Sequence, residues 1–236
     1  MTSDTIVILA AYNEADRIGA TLAALALAFP AAPVFVADDG STDVTAEIAR
    51  AAGARVVRSE RVIGKGGAVT AAAREALSAH GSSDLVVLLC DGDLGETAAK
   101  LSALVDVVRR EQADVAVAAF TRRVGGGVGL AVGFARWAIR RRCGLHTRAP
   151  ISGQRALSAC ALHDVLPLAH GFGMEIGITI DAVRAGHRVV EIELDLAHRA
   201  TGRTLSGFVH RGRQLVDFVR VFLVRGRQAI PISDNL

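Results

Sequence analysis

The stretch "VVLLCDGDLGE", Val86–Glu96, decides the fold. Its first half is a short run of apolar residues ending at Cys90. Such a run predicts a strand buried on both faces, as in a parallel sheet. It ends on Asp91-Gly92-Asp93. Two carboxylates this close raise each other's pKa unless a cation sits between them. Mg2+ or Mn2+ is the simplest such cation, held by carboxylate oxygens and substrate phosphates. The bland alternative is an Asp-Gly surface turn. A strand in front of the pair, with acids at neighbouring strand ends, favours the cation.

Working outward, Thr5–Leu9, Val34–Ala37, Arg55–Val57, Leu85–Cys90 and Val115–Ala119 have strand patterns. Helical patterns over Asp16–Ala28, Val44–Ala52, Lys65–Ala79 and Thr97–Glu111 separate them, with Ser41 or Thr42 expected to cap the second. This alternation predicts an α/β fold, a Rossmann-like, mostly parallel sheet with helices on both faces. Further helices are expected at about Leu130–Arg142, Glu175–Ala185 and Leu205–Val224, and a strand at Arg188–Leu194. No linker or repeat divides the chain, so one domain over residues 1–236 is expected.

In such sheets ligands bind beyond the carboxyl ends of the strands. Three strands end in Tyr12-Asn13-Glu14, Asp38-Asp39 and Asp91-Gly92-Asp93. A carboxylate there can accept from a base N–H or a ribose hydroxyl, although Asp38–Asp43 is also a good turn and cap. "VIGKGGAV", Val62–Val69, places Lys65 among glycines before a helix, where backbone N–H groups bind phosphate. It lacks the Walker spacing.

Charge points to an anionic partner. The chain has 236 residues and a net charge of +3, and only Lys65 and Lys100 of its 27 basic residues are lysine. No Asp or Glu occurs from Val115 to His163, while Arg122, Arg123, Arg136, Arg140, Arg141, Arg142, Arg148 and Arg155 do. The C-terminal region repeats this bias. A phosphorylated substrate or an anionic membrane surface fits. With aromatics at 4% and no stacking platform, nucleic acid does not. The helix "VGLAVGFARWAIRRR" and the C-terminal "FVHRGRQLVDFVRVFLVRGRQ" are amphipathic and basic, as interfacial segments are. Cys90, Cys143 and Cys160 are widely spaced and read as reduced thiols. With no signal peptide and no spanning run, a cytoplasmic protein is expected, peripheral at the inner face of the membrane.

Four stretches in order, "VILAAYNEADRIGATL", "VFVADDGSTDVTAEIA", "VIGKGGAVTAAA" and "DLVVLLCDGDLGE", together resemble the family 2 glycosyltransferases with the GT-A fold. The resemblance implies that Ala11, Tyr12, Glu14, Asp38 and Asp39 hold the nucleoside, with Lys65 near it. It implies that Asp91, Gly92 and Asp93 serve the metal and the sugar. "ISGQRALSACAL" and "GFGMEIGITIDAVRAG" resemble acceptor-side motifs shared by polyprenyl-phosphate glycosyltransferases and glucosyl-3-phosphoglycerate synthases. "LAHRATGR" is similar to a segment of the latter, in which a histidine completes the metal site; His198 is the candidate here. Expected acceptor contacts are Arg122, Arg148, Ser152, Gly153, Gln154 and Arg203, with Asp93 and Glu175 catalytic.

Many inverting relatives carry Glu-Asp, the Asp acting as general base; here Ile176 follows Glu175. A phosphate acceptor needs no base, since its second pKa is about 6; a retaining mechanism also fits. The expectation is therefore metal-dependent transfer from a UDP-sugar to a phosphorylated acceptor. Polyprenyl phosphate is favoured, with 3-phosphoglycerate as runner-up. A homodimer is the one oligomer considered. A nucleotidyltransferase would want a Gly-rich loop after the first strand and a dehydrogenase GxGxxG; Ala10–Glu14 has neither. A non-catalytic scaffold would have no use for the DGD.

Overall fold

The computed structural model describes residues 4–80, 82, 84–120, 130–196 and 217–224. Seven strands form one sheet: β1 (Thr5–Ala11), β2 (Val34–Asp38), β3 (Arg55–Arg58), β4 (Val86–Asp91), β5 (Val115–Phe120), β6 (Arg155–Ser158) and β7 (Val189–Leu194). Their order is β3-β2-β1-β4-β6-β5-β7. All neighbours run parallel except β6, which is antiparallel to both β4 and β5. The helices are α1 (Ile18–Ala28), α2 (Thr45–Ala51), α3 (Lys65–Ala79), α4 (Ser102–Arg109), α5 (Leu130–Cys143), α6 (Ala159–Val165) and α7 (Met174–Arg184). Residues 217–224 are also helical.

Strand residues alternate between two cores, which is why β1 and β4 are apolar without interruption. Val7, Leu9, Val36, Leu88 and Cys90 face α1 and α4 through Leu22, Leu25 and Leu104. Ile6, Ile8, Phe35, Val87 and Leu89 face α3 and α7. The side of α3 turned to the sheet is Ala68, Val69, Ala72, Ala73 and Ala76, small enough to seat the helix close. A third cluster joins α5, α7 and the 217–224 helix through Ala135, Ile139, Ile176, Ile180, Phe218 and Val221.

The register fixes the functional rim. Ala11 pairs with Asp38, and Ala10 pairs with Asp91. Both acids therefore flank the end of β1, one strand to either side.

Three expectations need correction. The sheet contains an antiparallel strand, β6, that the sequence pattern missed, together with α6 behind it. The helix expected over Thr97–Glu111 is a 3-10 helix (Gly95–Leu101) followed by α4. It enters on Gly95 at φ 56°, and Gly95 N–H is tied to Thr21 Oγ1 at 2.9 Å. Neither Ser41 nor Thr42 caps α2, which begins at Thr45 with Val44 at the cap position and no side-chain cap. Those two residues bond to Asn13 instead. Of the helix expected over Leu205–Val224, the structure describes 217–224; the rest lies outside the described residues.

Gly66, in the first turn of α3, packs against backbone. A Cβ there would stand 1.8 Å from Ala169 O and 2.9 Å from Ala169 C. Alanine would gain at most about 1 kcal/mol of helix propensity, and the clash outweighs it. We expect Gly66→Ala to lose about 1–3 kcal/mol in urea unfolding. Unchanged stability would mean that α3 does not rest on this contact.

Candidate active site

The loops after β1 and β2 are stitched together by side chains that accept from backbone. Asn13 sits at φ 55°, and its Oδ1 accepts from Thr42 N–H at 2.8 Å. Ser41 Oγ accepts from Asn13 N–H at 3.0 Å, and Thr45 Oγ1 from Glu14 N–H at 2.8 Å. This leaves the Tyr12 ring 48% exposed on the rim, with Ala11 buried beneath it.

Asp38 is fully buried. Its Oδ1 accepts from Ser41 N–H at 2.8 Å, and Arg58 Nε lies 3.4 Å from Oδ2. Asp39 accepts from Ile63 N–H at 2.7 Å and from Gly64 N–H at 3.0 Å. Burial raises the Asp39 pKa above the ordinary carboxylate value, and these N–H groups oppose the shift. In this state both carboxylates fasten loops, and Asp39 fixes the approach to α3.

That approach delivers Lys65 to the end of β4. Its Nζ is 2.6 Å from Asp91 Oδ1 and 2.8 Å from Glu175 Oε1. Burial pulls the Lys65 pKa down, but the Asp91 and Glu175 carboxylates outweigh it and hold the group above its ordinary value. Gln154 Nε2 donates to Asp91 Oδ2 at 2.9 Å. Gly153 closes the cluster: a Cβ there would lie 2.6 Å from both Asp91 Oδ2 and Lys65 Nζ. Four segments thus meet at one point: the end of β4, the start of α3, residues 152–154 and the first turn of α7.

The Asp91-Gly92-Asp93 turn is held from below. Gly92 N–H donates to Ala10 O at 3.0 Å. Thr21 Oγ1 donates to Gly92 O at 2.8 Å, from a side chain with no solvent exposure. Asp93 is half-buried in the same turn. The donor set is hard oxygen, the chemistry Mg2+ and Mn2+ prefer.

The acceptor expectations divide. Ser152, Gly153 and Gln154 do reach the cluster, but all three are buried and Gln154 is spent on Asp91. Arg148 pairs with β7, its Nη1 2.6 Å from Glu193 and its N–H on Glu191 at 2.9 Å. Arg142, a further candidate for phosphate, donates to Phe222 O at 2.6 Å. Arg122, His198 and Arg203 lie outside the described residues.

Two residues have roles that the sequence reading missed. Thr21 gave no signal beyond being a polar residue in an apolar helix. Arg155 is fully buried, with Nε donating to Ser152 O at 2.8 Å and Nη1 to Thr179 Oγ1 at 2.8 Å. Burial pulls its pKa down to about 10, against Glu175 and Glu191. It braces the 152–154 segment against α7; the sequence counts it among the arginines of a stretch expected to face an anion, and the structure buries it instead.

Comparison with known proteins gives the site a context. The model of "Glycosyl transferase family 2" matches residues 6–145. The chain is 31% identical to an undecaprenyl-phosphate mannosyltransferase of Micrococcus luteus, over 86% of this chain and 87% of that protein. It is also 31% identical to an uncharacterized glycosyltransferase of Mycobacterium tuberculosis, over 94% and 99%. The glucosyl-3-phosphoglycerate synthase of M. tuberculosis, solved with Mn2+, UDP and phosphoglyceric acid, superposes with a TM-score of 0.75 at 28% identity, covering 98% of this chain and 80% of that one. The sheet is that of a GT-A glycosyltransferase. By its matched residues and its relatives, the chain is an enzyme of glycosyl transferase family 2.

Proposed function

We propose that this enzyme moves a sugar from a UDP-sugar to a phosphorylated acceptor, and that the acceptor is a polyprenyl phosphate. The observation that carries the acceptor is a surface. The 217–224 helix packs beside α5 and leaves Val219, Leu223 and Val224 exposed, with Trp137 50% exposed next to them. Trp137 stacks on Phe222 at 4.8 Å between centroids, and Arg142 lies 3.8 Å over the same ring. Arg136, Arg140 and Arg141 are exposed on α5. Apolar side chains rimmed by arginine suit the boundary between headgroups and water. No helix among the described residues is long and apolar enough to cross a membrane. The proposed location is therefore peripheral, on the cytoplasmic face. The second reading, a soluble acceptor such as 3-phosphoglycerate, has the structural match to the synthase in its favour.

In this reading residues 1–120 hold the donor and residues 121–236 the acceptor, as one domain. Tyr12, Glu14 and the loops pinned by Asp38 and Asp39 form the nucleoside end. Mg2+ or Mn2+, when bound, supplies charge that offsets the diphosphate leaving group; Asp91 and Asp93 would hold it, with His198 as third ligand. In the same reading Lys65 meets those phosphates and releases Glu175 to orient the sugar. The acceptor phosphate oxygen bonds to the anomeric carbon as the bond to UDP breaks. A dianionic phosphate has no proton to lose, so Ile176 in place of a base costs nothing.

The test is UDP release from UDP-glucose, UDP-GlcNAc and UDP-GalNAc with either metal, offered a short polyprenyl phosphate or 3-phosphoglycerate. Stimulation by the lipid phosphate, abolished in Asp93→Ala, is expected. Stimulation by phosphoglycerate alone would transfer the enzyme to the second reading.

Lys65→Met leaves Asp91 and Glu175 facing each other. We expect about 2 kcal/mol of lost stability, discounted because the cluster is partly exposed, and kcat/KM lower by about a hundredfold. The double variant Lys65→Met/Asp91→Asn should regain stability and stay inactive. A double variant no more stable than the single would show that repulsion is not the cause.

Trp137 is the one tryptophan in the chain. Its emission should shift to the blue with vesicles rich in anionic lipid, and less so in high salt. An unchanged spectrum would remove the membrane surface from the proposal.

A further inference from the structure

The rim opposite the candidate active site carries a second cluster with different chemistry. β6 runs antiparallel to β4, with Ser158 paired to Val86, so α6 leaves from the start of β4. The turn between α7 and β7 reaches the same rim, because Val189 pairs with Val115 at the start of β5. The length of β4 separates the two sites by roughly 20 Å.

Ser158 caps α6, its Oγ accepting from Ala161 N–H at 3.2 Å. The helix buries Ala161, Leu162 and Val165, which turns Cys160, His163 and Asp164 outward. Cys160 and Asp164 are four residues apart and share a face. His187 follows Gly186, at φ 89°, and its N–H donates to Ala182 O at 2.9 Å. That fixed backbone sends a ring with 12% side-chain exposure to Asp164, with Nε2 2.9 Å from Oδ2. His163 Nδ1 stands 3.5 Å from Asp164 Oδ1. The ligating atoms of Cys160, Asp164 and His187 all lie within 4.8 Å of one another.

We propose that Cys160, Asp164 and His187 form a metal site of the zinc class, with a water in the fourth position. Zinc takes thiolate at about 2.3 Å and imidazole or carboxylate at about 2.0–2.2 Å, which spaces tetrahedral donors about 3.3–3.7 Å apart. Cys160 and Asp164 are on the surface and close that gap by rotating. Sulfur and imidazole select zinc over the hard cations that suit Asp91 and Asp93. Binding releases the Cys160 thiol proton to solvent, and the thiolate becomes the ligand. The metal would clamp α6 to the turn that ends α7, whose other end carries Glu175. The site is independent of the acceptor proposal.

The test uses the full chain, untagged and stripped with chelator, titrated with Co2+ and then Zn2+. We expect one Co2+ per chain with a sulfur-to-cobalt charge-transfer band, displaced by Zn2+. We also expect a melting temperature about 5 °C higher at Zn2+ a hundredfold above Kd. Cys160→Ser should abolish the band, and His187→Gln should weaken binding at least tenfold. UDP binding with Mg2+ should be unchanged in both, which also shows that they fold. Absence of the band, or Zn2+ affinity that survives both substitutions, would overturn the site and leave an ordinary His187–Asp164 ion pair.

Discussion

The Lys65 ammonium joins two carboxylates that would otherwise repel, Asp91 at the end of β4 and Glu175 in the first turn of α7. Everything around it serves to keep that charge in place. Asp39 holds the loop that turns into α3, Gly66 lets the helix lie against Ala169, and Gly153 leaves room where any side chain would strike Lys65 or Asp91. The ion pairs carry a net negative charge in a partly closed site. A divalent cation and a diphosphate entering together would rearrange them rather than meet a neutral surface. On the proposed reading Lys65 would exchange its own carboxylates for the donor phosphates, and that exchange would couple donor arrival to freeing Glu175.

The sheet makes this meeting possible. Parallel strands bring Asp38 and Asp91 to either side of β1 at one level. The reversed β6 does the complementary job: being antiparallel, it begins at the rim where β4 ends, so residues just before it, Ser152 to Gln154, arrive beside Asp91. A parallel strand in that place would put its helical connection there instead. Arg155 is the consequence, a guanidinium at the first position of a central strand, bonded to Ser152 O and Thr179 so that the loop and α7 keep a fixed distance.

The first 120 residues were legible because their signals are local. Apolar runs ending in acids need no tertiary information, and the glycines around Lys65 mark a close approach. Residues 121–236 were legible in part: the helices expected at Leu130–Arg142 and Glu175–Ala185 and the strand at Arg188–Leu194 are α5, α7 and β7, and what was missed, there and in the loop after β2, lies in particular residues. "RALS" is four residues long with a buried arginine, the reverse of a strand signature, and only pairing with β4 and β5 makes it one. Ser41 and Thr42 look like caps, yet Asn13, 28 or more residues away, competes for them. Arg142 and Arg148 look available for phosphate in the sequence; the structure spends them on Phe222 O and on Glu191 and Glu193, acids from outside the arginine-rich stretch. Charge counting finds a basic region but not which of its charges are already matched.

That matching bears on the acceptor. A soluble phosphorylated acid must be recognised by cations converging on a small anion, and two of the arginines expected to do so are engaged elsewhere. A lipid phosphate makes a weaker demand on the site, because the membrane supplies part of the binding energy. Each basic residue near an anionic surface contributes about 1 kcal/mol, and an apolar patch adds area removed from water. Trp137, Leu223 and Val224 beside Arg140 and Arg141 can supply both, outside the site altogether. With the proposed lipid acceptor, the enzyme would hold its acceptor by the surface on which the acceptor floats, and would need the catalytic cluster only to align one phosphate oxygen with the sugar.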